Sequence, residues 1–206
     1  ARAGHPQRFA IAIPAHNEQD VIGETVTTLK KMAYPPDYYD IFVVADNCSD
    51  QTAVFSRAKG AICYERQTSE RSGKGAALIW LFERIFAYKE YDAIVIFDSD
   101  TQVEANFLQV MSARLAAGKQ VIQGKHVISN PRQGWFPALT WAMMAIDCRF
   151  FSQGRANLGL SARHMGDSIC FSSQVLKDLG WGSGLTEDYE LRLRLLLDGI
   201  CIDYEP

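Results

Sequence analysis

Val95-Ile96-Phe97-Asp98-Ser99-Asp100-Thr101, "VIFDSDT", sets two carboxylates one residue apart at the end of an apolar run. Like charges at the tip of a buried strand repel each other and lose hydration, a cost that persists unless a cation lies beside them. The run itself, Ala93 to Phe97, is apolar throughout rather than alternating, which fits a strand covered on both faces. Phe9 to Ile13 (FAIAI) and Ile41 to Ala45 (IFVVA) read the same way, and Val121 to Gln123 is a shorter candidate strand. Between them, Glu18 to Lys31, Thr52 to Lys59, Lys74 to Phe86 and Ala105 to Ala117 carry apolar residues at helical spacing. Strand and helix alternate, which predicts an α/β sandwich, helices on both faces of a mostly parallel sheet built from βαβ units.

In such sheets ligands gather beyond the carboxyl ends of the strands. Each long strand here ends in acids: Pro14-Ala15-His16-Asn17-Glu18, Asp46-Asn47-Cys48-Ser49-Asp50 and Asp98-Ser99-Asp100. Asp98 and Asp100 offer hard oxygen ligands for Mg²⁺ or Mn²⁺, ions that complete their shells with phosphate oxygens. The competing reading is a turn in which one Asp caps a helix starting near Ala105. Asp46 lies at a strand tip, where a carboxylate can accept from a base imide or a ribose hydroxyl or serve the turn, while Ser49 or Asp50 is placed to cap the helix from Thr52.

Arg71-Ser72-Gly73-Lys74-Gly75 precedes a long apolar helix, so a cation and free amides meet where an anion can bind. Gly75 after Lys74 breaks the Walker spacing and leaves a solvated loop as the alternative. Leu185-Thr186-Glu187-Asp188-Tyr189-Glu190 opens a helix running to Leu197; its acids either serve the helix dipole or form a second acidic site. Gly134 to Phe151, "GWFPALTWAMMAIDCRFF", reads as core, as the wall of an acceptor groove or as a membrane contact. His16 and His164 have no partner at ligand spacing and stay unassigned.

With 206 residues, 48% hydrophobic and 22% charged, the chain can fill one core, so a single domain over 1–206 is expected. A net charge of -3 excludes attraction of a nucleic-acid backbone through bulk charge, and no nucleic-acid partner is expected. Five scattered cysteines without CxxC spacing argue against a zinc site or a disulfide framework and for reduced thiols on the cytosolic side. No apolar run reaches about eighteen residues, and Ala1 to Arg8 has no signal-peptide core. The chain starts without Met and stops after the strand-like Ile200 to Tyr204, which suggests a domain excised from or truncated within a longer protein, with any membrane segments outside it.

Taken in order, Pro14 to Glu18, Asp46 to Thr52, Gly73-Lys74-Gly75, Asp98-Ser99-Asp100 and Glu187-Asp188 resemble the family 2 glycosyltransferases with their GT-A nucleotide-sugar-binding fold. The resemblance spans nearly the whole chain. It implies inverting transfer from a nucleotide-sugar, a UDP-sugar first and GDP or dTDP as alternatives, to a hydroxyl of a saccharide or lipid-linked acceptor. It also implies a divalent metal, Mg²⁺ or Mn²⁺, a role in cell-surface polysaccharide or glycolipid synthesis, and membrane association on the cytoplasmic side.

By this resemblance Pro14, Ala15, Glu18, Asp46, Arg71 and Lys74 surround the nucleotide, Asp98 lies near the ribose and diphosphate, and Asp100 with Asp98 holds the metal. Asp188 falls at the general base with Glu187 beside it, and Gly166, Asp167 and Trp181 fall on the acceptor side. The second loop, "DNCSD", departs from the family's acid pair and glycine, His164-Met165-Gly166-Asp167 matches its acceptor loop loosely, and a Q-x-x-R-W motif would come after the last residue. Among rivals, a haloacid-dehalogenase-like phosphatase shares D-S-D-T but has Gln102 at the wrong place and an Asp on a late strand. A sugar-1-phosphate nucleotidyltransferase would need a Gly-rich loop after the first strand, and a nucleotide-binding module without turnover is a further alternative.

Overall fold

In the computed structural model, which describes residues 6–69, 73–182 and 186–206, the apolar runs pair into one sheet. Its strands are β1 (Phe9–Ala15), β2 (Tyr39–Asp46), β3 (Ile62–Arg66), β4 (Ala93–Ile96), β5 (Val121–Gly124), β6 (Ile169–Ser172) and β7 (Ile202–Glu205), in the order β3-β2-β1-β4-β6-β5-β7. β1 lies between β2 and β4, both parallel to it, with Phe9 beside Tyr39 and Ala93. β6 runs against both of its neighbours, β4 and β5. The sheet is therefore mostly parallel, as expected.

Successive side chains on a strand point to opposite faces, and here both faces are covered. Ala10, Ala12, Phe42, Val44, Ile94 and Ile96 face one core; Phe9, Ile11, Ile13, Ile41, Val43, Val95 and Phe97 face the other. The helices are α1 (Ile22–Leu29), α2 (Thr52–Ala58), α3 (Gly73–Tyr88), α4 (Phe107–Ala116), α5 (Trp135–Ile146), α6 (Gly154–Asn157), α7 (Ser173–Leu179) and α8 (Glu187–Leu197). Ala77, Leu78, Leu81, Phe82 and Ile85 form the buried stripe of α3 against the first core. Each such Leu or Ile, fully buried, contributes about 1.5–3 kcal/mol.

Several expectations need revision. The helix expected from Glu18 begins at Ile22, because Asn17 turns into the left-handed region at φ 56 and the Glu18 amide donates to Thr52 Oγ1 at 2.8 Å. The helix after Asp100 starts at Phe107 behind Asn106, so neither aspartate caps it. α5 contains no buried residue, and Trp135, Phe136, Met143 and Phe150 are 63–77% exposed, so the core reading of 134–151 holds only for Cys148, with Met144 packed against the same core. After Ile146 the helix widens into a π-helical stretch, Asp147–Gln153, whose Cys148 and Ser152 are buried. All five cysteines are unbridged. Among the described residues no helix is long and apolar enough to cross a membrane.

Candidate active site

β1, β2 and β4 end at the same edge, and because β6 is reversed its starting end, led by Asp167 and Ser168, arrives there too. A cleft of about 320 Å³ opens at this edge, walled by Pro14, Ala15, Glu18, Asp46, Lys74, Asp98 and Asp100. Every described residue expected around the nucleotide and metal is thus brought together; Arg71 lies outside the described residues.

The loops after β1 and β2 hold each other. Asn17 and Asn47 both take positive φ, 56° and 49°, which asparagine tolerates better than most side chains. Asn17 Oδ1 accepts the Ser49 amide at 2.8 Å, and Asp50 accepts the Gln19 amide at 3.1 Å and the Thr52 amide at 3.0 Å. Asp50 therefore takes the helix-start role expected of it and also ties the two loops together. Asp46 accepts from Arg66 Nη1 at 2.6 Å, with the two side chains only 12% and 11% exposed. Sequence reasoning missed Arg66, although β3 sets it directly beside Asp46 in register.

One cation beside Asp98-Ser99-Asp100 is Lys74. Its Nζ pairs with Asp98 Oδ1 and also donates to the Gly166 carbonyl at 2.7 Å. Below the turn, Asp167 accepts the Asp98 amide at 2.9 Å and the Thr101 hydroxyl at 3.0 Å. Burial raises the Asp167 carboxyl, and His126 Nε2, 3.4 Å from Oδ2, opposes that rise. Gln123, fully buried at the end of β5, donates to the Asp167 carbonyl at 2.8 Å and accepts the Met165 amide at 2.9 Å. A lone amide closing an apolar strand was the sequence signal for this network, and it went unread.

Glu18 is raised first by burial and then by repulsion from Asp100 and Asp50, with Asp98 adding to it. The open end of the cleft is thus short of positive charge. Among the described residues no three ligating side chains converge on one point. That donor set fits Mg²⁺ or Mn²⁺ held by one or two carboxylates and completed by phosphate oxygens, not an all-protein cage.

On the other side of Lys74, Gly166 sits at φ 76, and a Cβ there would lie 3.2 Å from Asp188 Oδ2 and 3.9 Å from Lys74 Nζ. Any larger residue would crowd both the Asp188 carboxylate and the Lys74 ammonium, which flank Gly166. The start of α8 is pressed on the start of α3: a Cβ on Gly75 would stand 2.6 Å from the Gly182 carbonyl and 3.3 Å from Glu187 Cγ. Adjacent helical residues diverge by about 100°. Glu187 accordingly packs on the backbone of Gly75 and Gly182, while the Asp188 carboxylate reaches Gly166. Trp181 is 6% exposed, edge-on to Phe82, Phe171 and His164. Gly166 therefore borders Lys74 and Asp188, Asp167 holds the Asp98 turn, and Trp181 packs on Phe82 and Phe171.

Comparison with known proteins agrees with this architecture. The family described as "Glycosyltransferase like family 2" matches residues 6–206. The beta-monoglucosyldiacylglycerol synthase of Trichormus variabilis is 26% identical over 197 residues, covering 92% of this chain and 41% of that protein. The chain thus spans about two-fifths of the length of that curated relative. A mannosyltransferase from Pyrobaculum calidifontis, solved with GDP-Man and Mn²⁺, superimposes with a TM-score of 0.73 at 15% identity, over 98% of this chain and 55% of that one. Glucosyl-3-phosphoglycerate synthase from Mycobacterium tuberculosis, solved with Mn²⁺, UDP and phosphoglyceric acid, gives 0.64 at 20% identity, over 96% and 68%. These likenesses identify the fold as GT-A, and the phosphatase reading is not favoured: β4, which Asp98 follows, is fourth in the chain and Asp98 is engaged by Lys74. Matched from residue 6 to its last residue, the chain belongs to glycosyltransferase-like family 2.

Proposed function

We propose that residues 1–206 form the catalytic domain of an inverting glycosyltransferase that moves a sugar from a nucleotide-sugar, foremost a UDP-sugar, to an acceptor hydroxyl. The observation that carries this reading is Lys74 held by Asp98 and the Gly166 carbonyl at the strand ends, with the Asp188 carboxylate beside Gly166. Asp46, Glu18, Ala15 and Pro14 form the nucleoside end of the cleft, and Lys74 with Asp98 and Asp100 forms the diphosphate end. Lys74 exchanges part of its contact with Asp98 for phosphate oxygens when donor enters. Asp100 and Asp98 would hold Mg²⁺ or Mn²⁺, which supplies neutralisation of the departing diphosphate.

Asp188 takes the proton of the acceptor hydroxyl while the acceptor oxygen bonds to the anomeric carbon and the carbon–oxygen bond to the diphosphate breaks on the opposite face. The packing of Glu187 against Gly75 and Gly182 favours Asp188 over its neighbour for this role. The solved neighbours carrying GDP-Man or UDP with Mn²⁺ support the donor and metal classes, and the glycolipid-forming relative supports a lipid-linked acceptor over a saccharide. We propose action at the cytoplasmic face of a membrane as well, which the glycolipid-forming relative supports.

A thermal-shift panel of UDP, GDP and dTDP with and without Mn²⁺ tests the reading, since a ligand that binds only the native state raises Tm. One nucleotide should stabilise selectively and more so with Mn²⁺. Asp100→Ala should erase the Mn²⁺-dependent part, because one of few protein oxygen ligands is gone. A full Mn²⁺ response in Asp100→Ala overturns the metal assignment; nucleotide binding without turnover on any acceptor makes the chain a binding module.

A further inference from the structure

A separate cavity of about 470 Å³ has Asp188 in its wall together with Arg155, Arg163 and Arg192. The three guanidinium groups come from α6, from the segment leading to Gly166, and from α8, so the chain gathers them from distant positions. Such a gathering is costly without an anion, because like charges disfavour each other's ionised form. Only part of the cost is met internally. Arg163 pairs with Asp147, and Arg155 Nε donates to the Ser161 carbonyl at 2.8 Å. Arg192 Nε is buried with no hydrogen-bond partner among the described residues.

Burial and then the charges of Arg155 and Arg163 lower the pKa of Arg192. In the same wall the Nε2 of His164, a side chain more than nine-tenths buried, also has no partner among the described residues. The wider surroundings share the sign: residues 125–163 hold five basic side chains, Lys125, Arg132, Arg149, Arg155 and Arg163, against the single acid Asp147, within a chain of net charge -3.

We infer that this cavity is an acceptor subsite for a phosphate ester, its phosphate held by Arg155, Arg163 and Arg192 while its hydroxyl meets Asp188. The guanidinium fork matches phosphate oxygens in pairs, which a lysine cluster would not do. Arg192 follows Asp188 by one helical turn, so the two side chains start about 5–6 Å apart. That spacing suits a hydroxyl and a phosphate on one small headgroup. Phe151, on the cavity wall, and Phe150 beside it are 54% and 72% exposed, and α5 continues the apolar surface. The phosphate can belong to a lipid headgroup or to a soluble ester. The inference rests on the transferase reading above, in which Asp188 faces the acceptor.

Two measurements test it. Inorganic phosphate, added at constant ionic strength without nucleotide, should raise Tm of the wild type by about 3 °C or more at saturation and leave Arg192→Gln unmoved; Arg192→Lys should keep part of the shift. No shift in the wild type, or an equal one in Arg192→Gln, overturns the subsite whatever the transfer activity. Transfer is then compared on glycerol, glycerol 3-phosphate, diacylglycerol micelles and phosphatidylglycerol micelles. A KM at least tenfold lower for the phosphate-bearing member of each pair, lost in Arg192→Gln while its UDP–Mn²⁺ shift persists, supports the inference, and the better of the two esters names the source. Equal use of neutral and phosphorylated acceptors sinks the subsite but leaves the transferase standing. Loss of the nucleotide shift in the wild type counts instead against the transferase.

Discussion

Gly75→Ala should damage the enzyme through a contact that no charged group makes. The added methyl would start 2.6 Å from the Gly182 carbonyl oxygen. Carbon–oxygen contacts settle near about 3.3 Å, so the two segments must part by roughly 0.7 Å. The obstacle is backbone, which cannot swing aside as a side chain does. Overpacking of this kind costs about 1–3 kcal/mol, and the better helix propensity of Ala returns at most about 1 kcal/mol.

A net loss of about 1–2 kcal/mol lowers Tm by roughly 2–8 °C in a chain of this size. The larger effect is catalytic. Glu187 rests on the same Gly182, so Asp188 moves with it. A shift of about 1 Å at a reacting group costs about 10²-fold, and turnover should fall by about 10- to 10²-fold with nucleotide affinity near wild type. Thermal unfolding, UDP titration and sugar transfer read the three quantities separately. Gly23→Ala is the control: in α1 its methyl would meet only Lys59 carbons at 3.7 Å or more, and it should stabilise by about 0.5–1 kcal/mol. Wild-type turnover and Tm in Gly75→Ala would refute the close approach of α3 and α8.

Asp188→Asn keeps the shape but removes the basicity, so transfer should drop by about 10²-fold or more while UDP affinity holds. Near-normal transfer by Asp188→Asn beside a dead Glu187→Gln would move the base by one residue. Burial depresses the His164 imidazole from 6.5 to about 4, so it stays neutral in the folded protein. The unfolded chain takes up the proton first, and the contribution, about 3 kcal/mol, is complete above pH 6.5 and lost as pH falls toward 4. His164→Gln should therefore lose less Tm than wild type between pH 7 and pH 4.5; parallel losses in both proteins would count against a buried neutral imidazole.

The parts of this molecule that could be read from the chain are those written in local patterns. FAIAI, IFVVA and AIVIF announce doubly covered strands, and the acids after them mark the ligand edge because a carboxylate ends an apolar run abruptly. What escaped depends on distant partners. β6 runs straight into α7 at Ser173 with no turn between them to mark it, and its reversal is set by pairing with β4 and β5. Without β3 the bond from Arg66 to Asp46 was invisible, and without β6 the hold of Asp167 on the Asp98 turn was invisible too. α5 misled for a different reason: its composition states what a helix prefers to bury, while its exposure depends on whether any neighbour is there to cover it.

β6 also governs how the sheet can be assembled. β5 and β7 pair with each other, but they join β3-β2-β1-β4 only through β6, which is wedged between β4 and β5. The first block is complete once Ile96 has been synthesised, while its closing strand ends at Ser172. At about 5–20 residues per second, a nascent chain keeps the apolar edge of β4 open for roughly four to fifteen seconds. An open apolar edge is a template for pairing between chains. Partial products ending between residues 97 and 168 would keep that edge permanently and associate through it, so this domain's vulnerability to aggregation is greatest during its own synthesis and ends when one short strand is inserted.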